Sequence, residues 1–230
     1  MDTIKLIDEL KQKPVFRIED VQKITGKNRK YSTLILHRLK ERNLIKKITK
    51  NRYTTKDEIY LIASNLTYPS YISFWSASAF LGYTEQMPSV IQVAVTKKMK
   101  PIEFEGYNIR FIKLPTTEFF GYRNIQSDEG YTFIADNEKL IIDVLNRQKE
   151  CANPAEIEAI IQNTNIEHKK IIDYLKLINN PALTKRVGYL LEKIKGIDIS
   201  NKFELNRNYI IINQFSKKWS KINSKWRVKI

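Results

Sequence analysis

Cysteine is almost absent from this 230-residue chain, with Cys151 alone, so no internal disulfide framework can form. Histidine is nearly as scarce. His37 and His168 are the only two, too few for a zinc site of the Cys/His type, which needs about four ligands. The seven glycines are scattered, and none falls into the GxGxxG or GxxxxGK spacing that cradles a phosphate. No serine sits in a GxSxG elbow. Glu103 and Glu105 alternate along a candidate strand, but no lysine follows where metal-dependent nuclease chemistry would want one. Asp136 and Glu138 open a helix, where acids are expected for capping and dipole reasons. Cys151 has no His or Lys cluster around it in sequence and reads as a small apolar filler. No catalytic residue, metal ligand or cofactor is assigned, and no enzyme is expected. Long apolar runs are missing too: none approaches the ~18 residues that span a bilayer. The opening "MDTIKLIDELKQK" lacks the uninterrupted apolar centre of a signal peptide. A cytoplasmic protein without membrane contact is the expectation.

Positive charge is what the chain has in excess. The formal net charge is +15, and it is unevenly spread. Residues 1–56 carry 16 Lys/Arg against 6 Asp/Glu, residues 57–206 carry 17 against 19, and residues 207–230 carry 7 against none. Two basic ends flank a nearly neutral middle. A field concentrated in this way suits a polyanion, nucleic acid or an anionic membrane surface, although surplus lysine also serves solubility.

Hydrophobic spacing organises the basic N-terminus. "TIKLIDELKQ" places Ile4, Ile7 and Leu10 on one helical face, with Leu6 beside them, and Pro14 closes it. "RIEDVQKITG" gives a short second helix with Ile18, Val21 and Ile24 in step and Gly26 as the stop. A third helix follows in "GKNRKYSTLILHRLKERN". "LIKKITKNRYTT" reads as two short strands, 45–49 and 52–54, turning at Lys50-Asn51. Three helices and a hairpin in about 55 residues is the order of a winged helix-turn-helix. The remainder, with a linking helix over 57–68, reads as mixed α+β. "FWSASAFLG" is helical; "SVIQVAVT" and "GYNIRFIKL" are strands separated by the turn-rich "KKMKPIEFE"; "TEFFGY" and "YTFIA" are further short strands. Helices are expected in "NEKLIIDVLNR" capped by Asp136, in "AEIEAIIQN" opened by Asn153-Pro154, in "EHKKIIDYLKLI" and in "PALTKRVGYLLEKI". "NYIIIN" and "FSKKWSKINSKWRVKI" return to strand. The fold class is α+β, with a winged-helix domain over 1–56 and a second domain over 57–230.

On a helical wheel, Ser32, Ile35, Leu36 and Leu39 share about a third of the third helix, enough to pack on the first two helices. The opposite side and the N-terminal end carry Lys27, Asn28, Arg29, Lys30, Tyr31, Thr33 and His37. In a helix-turn-helix that end enters the major groove. Arg and Lys suit guanine edges and phosphates, Asn suits adenine, and Thr suits a thymine methyl; Asn28 serves equally as an N-cap. Lys47, Lys50, Asn51 and Arg52, together with Lys46, add a basic wing suited to backbone or minor-groove contact. A merely solvated face is the competing account, and Glu41 fits it. In the tail, Phe215, Trp219 and Trp226 lie among Lys217, Lys218, Lys221, Lys225, Arg227 and Lys229. They suit either stacking on single-stranded bases or the buried side of a terminal strand.

The pieces also resemble a known family, the AbiEi-type antitoxins of type IV toxin–antitoxin and abortive-infection systems. The winged-helix start is similar, and the second part more specifically so. "YPSYISFWSASAFLGYTEQMP", "VAVTKK", "IADNEKLIIDVL", "ALTKRVGYLLEKI" and the closing "KWRVKI" resemble the family's successive segments over nearly the whole chain. Asn137 stands where the family often has Pro, and Val187 where Leu is usual; both are mild departures. The resemblance implies a winged helix that binds inverted repeats in its own promoter, with a homodimer on DNA compatible with such repeats. It implies a C-terminal domain that neutralises a nucleotidyltransferase-type toxin without requiring a stable complex. In that domain Arg186, Tyr189 and Glu192 are the polar positions to watch, although a packed helix with exposed polar ends accounts for them as well. The residues alone favour a sequence-specific double-stranded DNA-binding regulator. A stand-alone transcription factor with a ligand- or partner-binding domain is an alternative, as are a metal-dependent nuclease and an architectural or RNA-binding protein.

Overall fold

The computed structural model describes residues 3–85, 88–151, 154–215 and 218–230; Asn153 and Lys217, singled out above, lie outside them. The fold is mixed α+β. The chain divides into two compact units that are not consecutive stretches: residues 1–72, 89–113 and 123–134 make the first, and residues 73–88, 114–122 and 135–230 the second. The expected boundary at residue 56 is therefore not where the units separate.

The first unit opens with helices α1 (Thr3–Lys11), α2 (Ile18–Thr25) and α3 (Arg29–Glu41), then the strands β1 (Lys46–Thr49) and β2 (Arg52–Thr54). Gly26 ends α2 in the left-handed region at φ 66°, a conformation that glycine adopts without steric cost. The three helices enclose a small core of Leu6, Leu10, Phe16, Val21, Leu36 and Leu39, with Ile35 and Tyr53 half-buried against it. Burying side chains of this kind stabilises by roughly 1.5–3 kcal/mol each, so six suffice to hold three short helices together. β1 and β2 pair antiparallel. Lys46 is held between Asp57 and Glu105 at 2.8 and 3.0 Å, which raises its pKa, Asp57 acting first.

The rest of this unit is built on α4 (Ile59–Ser64), β3 (Ser70–Ile72), β4 (Val90–Val95), β5 (Ile102–Phe104), β6 (Tyr107–Lys113), β7 (Tyr122–Ser127) and β8 (Gly130–Ala135). The strands form a mixed sheet in the order β5-β6-β4-β3-β8-β7. β4 runs parallel to β6 and antiparallel to β3. Two of these strands, β3 and β7, were not expected. β3 is three residues long and buried throughout, so it shows no alternation. β7 is an edge strand with four exposed residues in six. Glu103 does lie on β5, whereas Glu105 sits in the following turn at φ 49°.

The second unit contains α5 (Phe74–Phe80), α6 (Asn137–Asn146), α7 (Pro154–Asn163), α8 (His168–Ile178) and α9 (Pro181–Lys195), with the short strands β9 (Ile210–Ile211), β10 (Ile222–Asn223) and β11 (Val228–Lys229). Asp136 caps α6 by accepting from the Lys139 amide at 2.8 Å, as its sequence position predicts. The expected strand in "TEFFGY" does not form. Thr116–Glu118 is a single 3-10 turn, and Gly121 at φ 68° lies so close to Tyr174 that an added Cβ would stand 2.8 Å from its ring. Lys139 and Asp143 form a buried ion pair, one turn apart on α6. The Ser73 hydroxyl completes the carboxylate's coordination at 2.8 Å, as a charge taken out of water requires.

Candidate nucleic-acid interface

Asn28 caps α3: its side-chain oxygen accepts from the Tyr31 amide at 3.0 Å. No acidic residue lies in the first turn of α3, whose amide dipole favours negative charge at that end. Ser32, Leu36 and Leu39 turn inward, as the wheel predicts. Outward, Lys30, Tyr31, Thr33, Leu34 and His37 surround an open hollow of about 600 Å³. Tyr31 and Leu34 each keep 45% of their surface exposed. Lys27 precedes this face, and Lys47 and Lys50 are exposed on the hairpin.

Not all the expected contact residues are available. Arg29 pairs with Glu19 of α2 at 2.9 Å. Asn51 uses both ends of its amide inside the protein, accepting from the Ile18 amide at 3.0 Å and donating to Glu19 at 2.9 Å. Arg52 donates from Nε to the Leu66 carbonyl at 3.0 Å, and burial lowers its pKa. Glu19 is thus the knot that ties α2 to the start of α3 and to the hairpin turn. The Asn51 amide, the Glu19 backbone and then the Arg29 guanidinium hold its carboxyl down at about 2. Asn28, Asn51 and Arg52 are accordingly positioning residues. Thr33 spends its hydroxyl hydrogen on the Arg29 carbonyl at 2.9 Å, which leaves its oxygen lone pairs and methyl outward. Leu34 and the exposed Arg38, Lys40 and Arg42 extend the surface. Their signal in the sequence is plain, a run of basic residues on the same helix.

The positions watched on α9 have other duties. Arg186 is buried, donating to the carbonyls of Leu145 at 3.0 Å and Ile211 at 3.4 Å; burial lowers its pKa, and its Nε has no partner among the described residues. Glu192 accepts from the Trp226 indole at 2.5 Å and from Lys225 at 2.6 Å. Tyr189 lines an apolar hollow of about 200 Å³ with Ile157, Leu190 and Ile212. The three do not converge on one point of chemistry. Among the described residues no group of three His, Cys, Asp or Glu side chains gathers at metal-binding distance. Cys151 is buried, and desolvation pushes its thiol up to about 12, far from a reactive thiolate. Among the described residues, no helix is long and apolar enough to cross a membrane.

No family model matches the chain, and no curated protein matches it either. Among solved structures, the crystal structure of the RV2827C protein from Mycobacterium tuberculosis is similar, with a TM-score of 0.65 at 13% sequence identity. The match covers 98% of this chain and 89% of that one. At that identity the likeness concerns the fold.

Proposed function

We propose that the chain is a sequence-specific double-stranded DNA-binding transcriptional regulator. In this reading α1–α3 and the β1–β2 hairpin form a winged helix-turn-helix, and α3 is the recognition helix. The observation that carries it is the exposed face of α3, where Lys30, Tyr31, Thr33, Leu34 and His37 stand together beside a capped, acid-free helix start. Cations there donate to phosphates and guanine edges, and apolar groups meet thymine methyls. The Glu19–Asn51 knot supports the reading in a second way, because a recognition helix and wing must be held in fixed relation to read one groove. Lys50 and Lys47 then suit phosphate contact at the wing.

The experiment is selection of bound duplexes from a random pool, followed by binding to the enriched sequence at ~150 mM salt. One sequence, or an inverted repeat of it, is expected to emerge. Lys30→Ala should weaken its binding by about 1–3 kcal/mol if Lys30 contacts a base. A pool without enrichment, or a variant that binds as tightly as the parent, overturns the reading.

The resemblance to AbiEi-type antitoxins extends this proposal: the regulator would be the autoregulating antitoxin of a type IV operon, with a nucleotidyltransferase-type toxin as its functional partner. An adjacent gene encoding a nucleotidyltransferase, toxic alone and tolerated in the presence of this chain, is the expected result.

A further inference from the structure

The C-terminal tail divides its two tryptophans between opposite tasks. Trp226 is buried against α9, whereas Trp219 keeps 46% of its surface exposed. An indole offers a large flat π-face, and at Trp219 nearly half of it is open to solvent. β10 pairs with β11 and β11 with β9, setting Ile222, Lys229 and Ile211 in one cross-strand row. Directly paired side chains point to the same face. Lys229 places its ammonium 4.7 Å from the centre of the Trp219 ring, so Trp219, Lys229 and the 51%-exposed Ile222 adjoin one another.

The charge of this C-terminal segment is of one sign. Residues 207–230 contain seven Lys or Arg and no Asp or Glu. Lys225 is occupied by Glu192 and Asp198, and Arg227 by the Leu205 carbonyl. Arg207 and Lys221 are exposed and have no ion pair among the described residues. An exposed indole with a lysine ammonium beside it matches two features of one ligand class, a flat π-face and a phosphate backbone. A duplex keeps its base faces covered, whereas a single strand presents them.

We propose that the outer face of the β10-β11-β9 sheet is a binding site for single-stranded nucleic acid, with Trp219 as the stacking platform and Lys229 as a phosphate contact beside it. The site is independent of the recognition helix.

Titration of the full chain with oligo(dT) and oligo(U) of about ten nucleotides, read by tryptophan emission, tests it. Quenching is expected, because Trp226 is buried and Trp75 half-buried, so Trp219 is the ring a stacked base would reach. Trp219→Ala should weaken binding roughly tenfold or more and remove the quench, and Trp219→Phe should bind nearly as tightly as the parent. Lys30→Ala combined with Lys50→Ala should leave oligonucleotide affinity unchanged. Quenching by either oligomer supports the proposal. Unchanged affinity in Trp219→Ala overturns it, as does equal competition by polyphosphate of matched charge, which would make the face a site for any polyanion. Absence of binding to both oligomers at about 10 μM also overturns it.

Discussion

At the scale of single residues, the polar side chains around α3 separate into those that build the surface and those that are the surface. Asn51 shows the difference most clearly. By type and position it suits DNA contact at a wing tip, yet its backbone is left-handed at φ 57° and its amide bridges Ile18 and Glu19. Asn51→Ala removes both hydrogen bonds and places a Cβ-bearing residue with no local compensation in that conformation. The expected loss is about 1–3 kcal/mol of stability, measurable by denaturant unfolding, and Asn51→Gly should recover the part due to backbone strain. Glu19 adds a pH dependence of known sign. Its carboxyl is held at about 2 against an ordinary 4.5, so its contribution is complete above about pH 4.5 and is lost as the pH falls towards 2. The Arg29–Glu19 pair is about half exposed, so solvent screening keeps its share small. Glu19→Gln should flatten that part of the acid-stability profile.

At the scale of elements, α9 and the tail explain one another. Gly188 lies where an added Cβ would stand 2.1 Å from the Trp226 indole, and Glu192, one turn on, accepts the indole N–H. The "VGYLLE" and "KW" segments, which look separate in the sequence, are two halves of one seat. In a helix interior Gly→Ala ordinarily gains about 1 kcal/mol. Here the ring must move, and overpacking of that kind costs about 1–3 kcal/mol. Gly188→Ala should therefore be destabilising on balance, by up to about 2 kcal/mol, with Trp226 emission shifted to longer wavelength; a stabilised protein with unshifted emission would contradict the seat. Element boundaries were most legible where caps declared them, at Asn28, Asp136 and Gly26. The strands β3 and β7 were illegible because a three-residue buried strand or a polar edge carries no alternation.

At the scale of the whole molecule, the charge map carries the functional expectation. If the N-terminal excess meets DNA, phosphate contacts set the affinity, and each releases condensed counterions. For roughly four contacts, affinity should fall about a hundredfold between ~50 and 200 mM salt; filter or anisotropy binding at a series of salt concentrations gives the slope, and a flat line would remove DNA as the partner. The sequence by itself determined the mixed α+β class, the order of helices and hairpin at the N-terminus, the inward stripe of α3 and the one-signed charge of both ends. These are local properties, carried by periodicity, caps and composition. Only the tertiary structure decided which polar groups are already engaged. Asn51, Arg52 and Glu192 look like contact residues in sequence and become internal partners because residues 33, 14 and 34 positions away come within hydrogen-bond reach. It also separated Trp219 from Trp226. Exposure depends on which distant surface folds over a ring, and for Trp226 that surface is the bare backbone of Gly188.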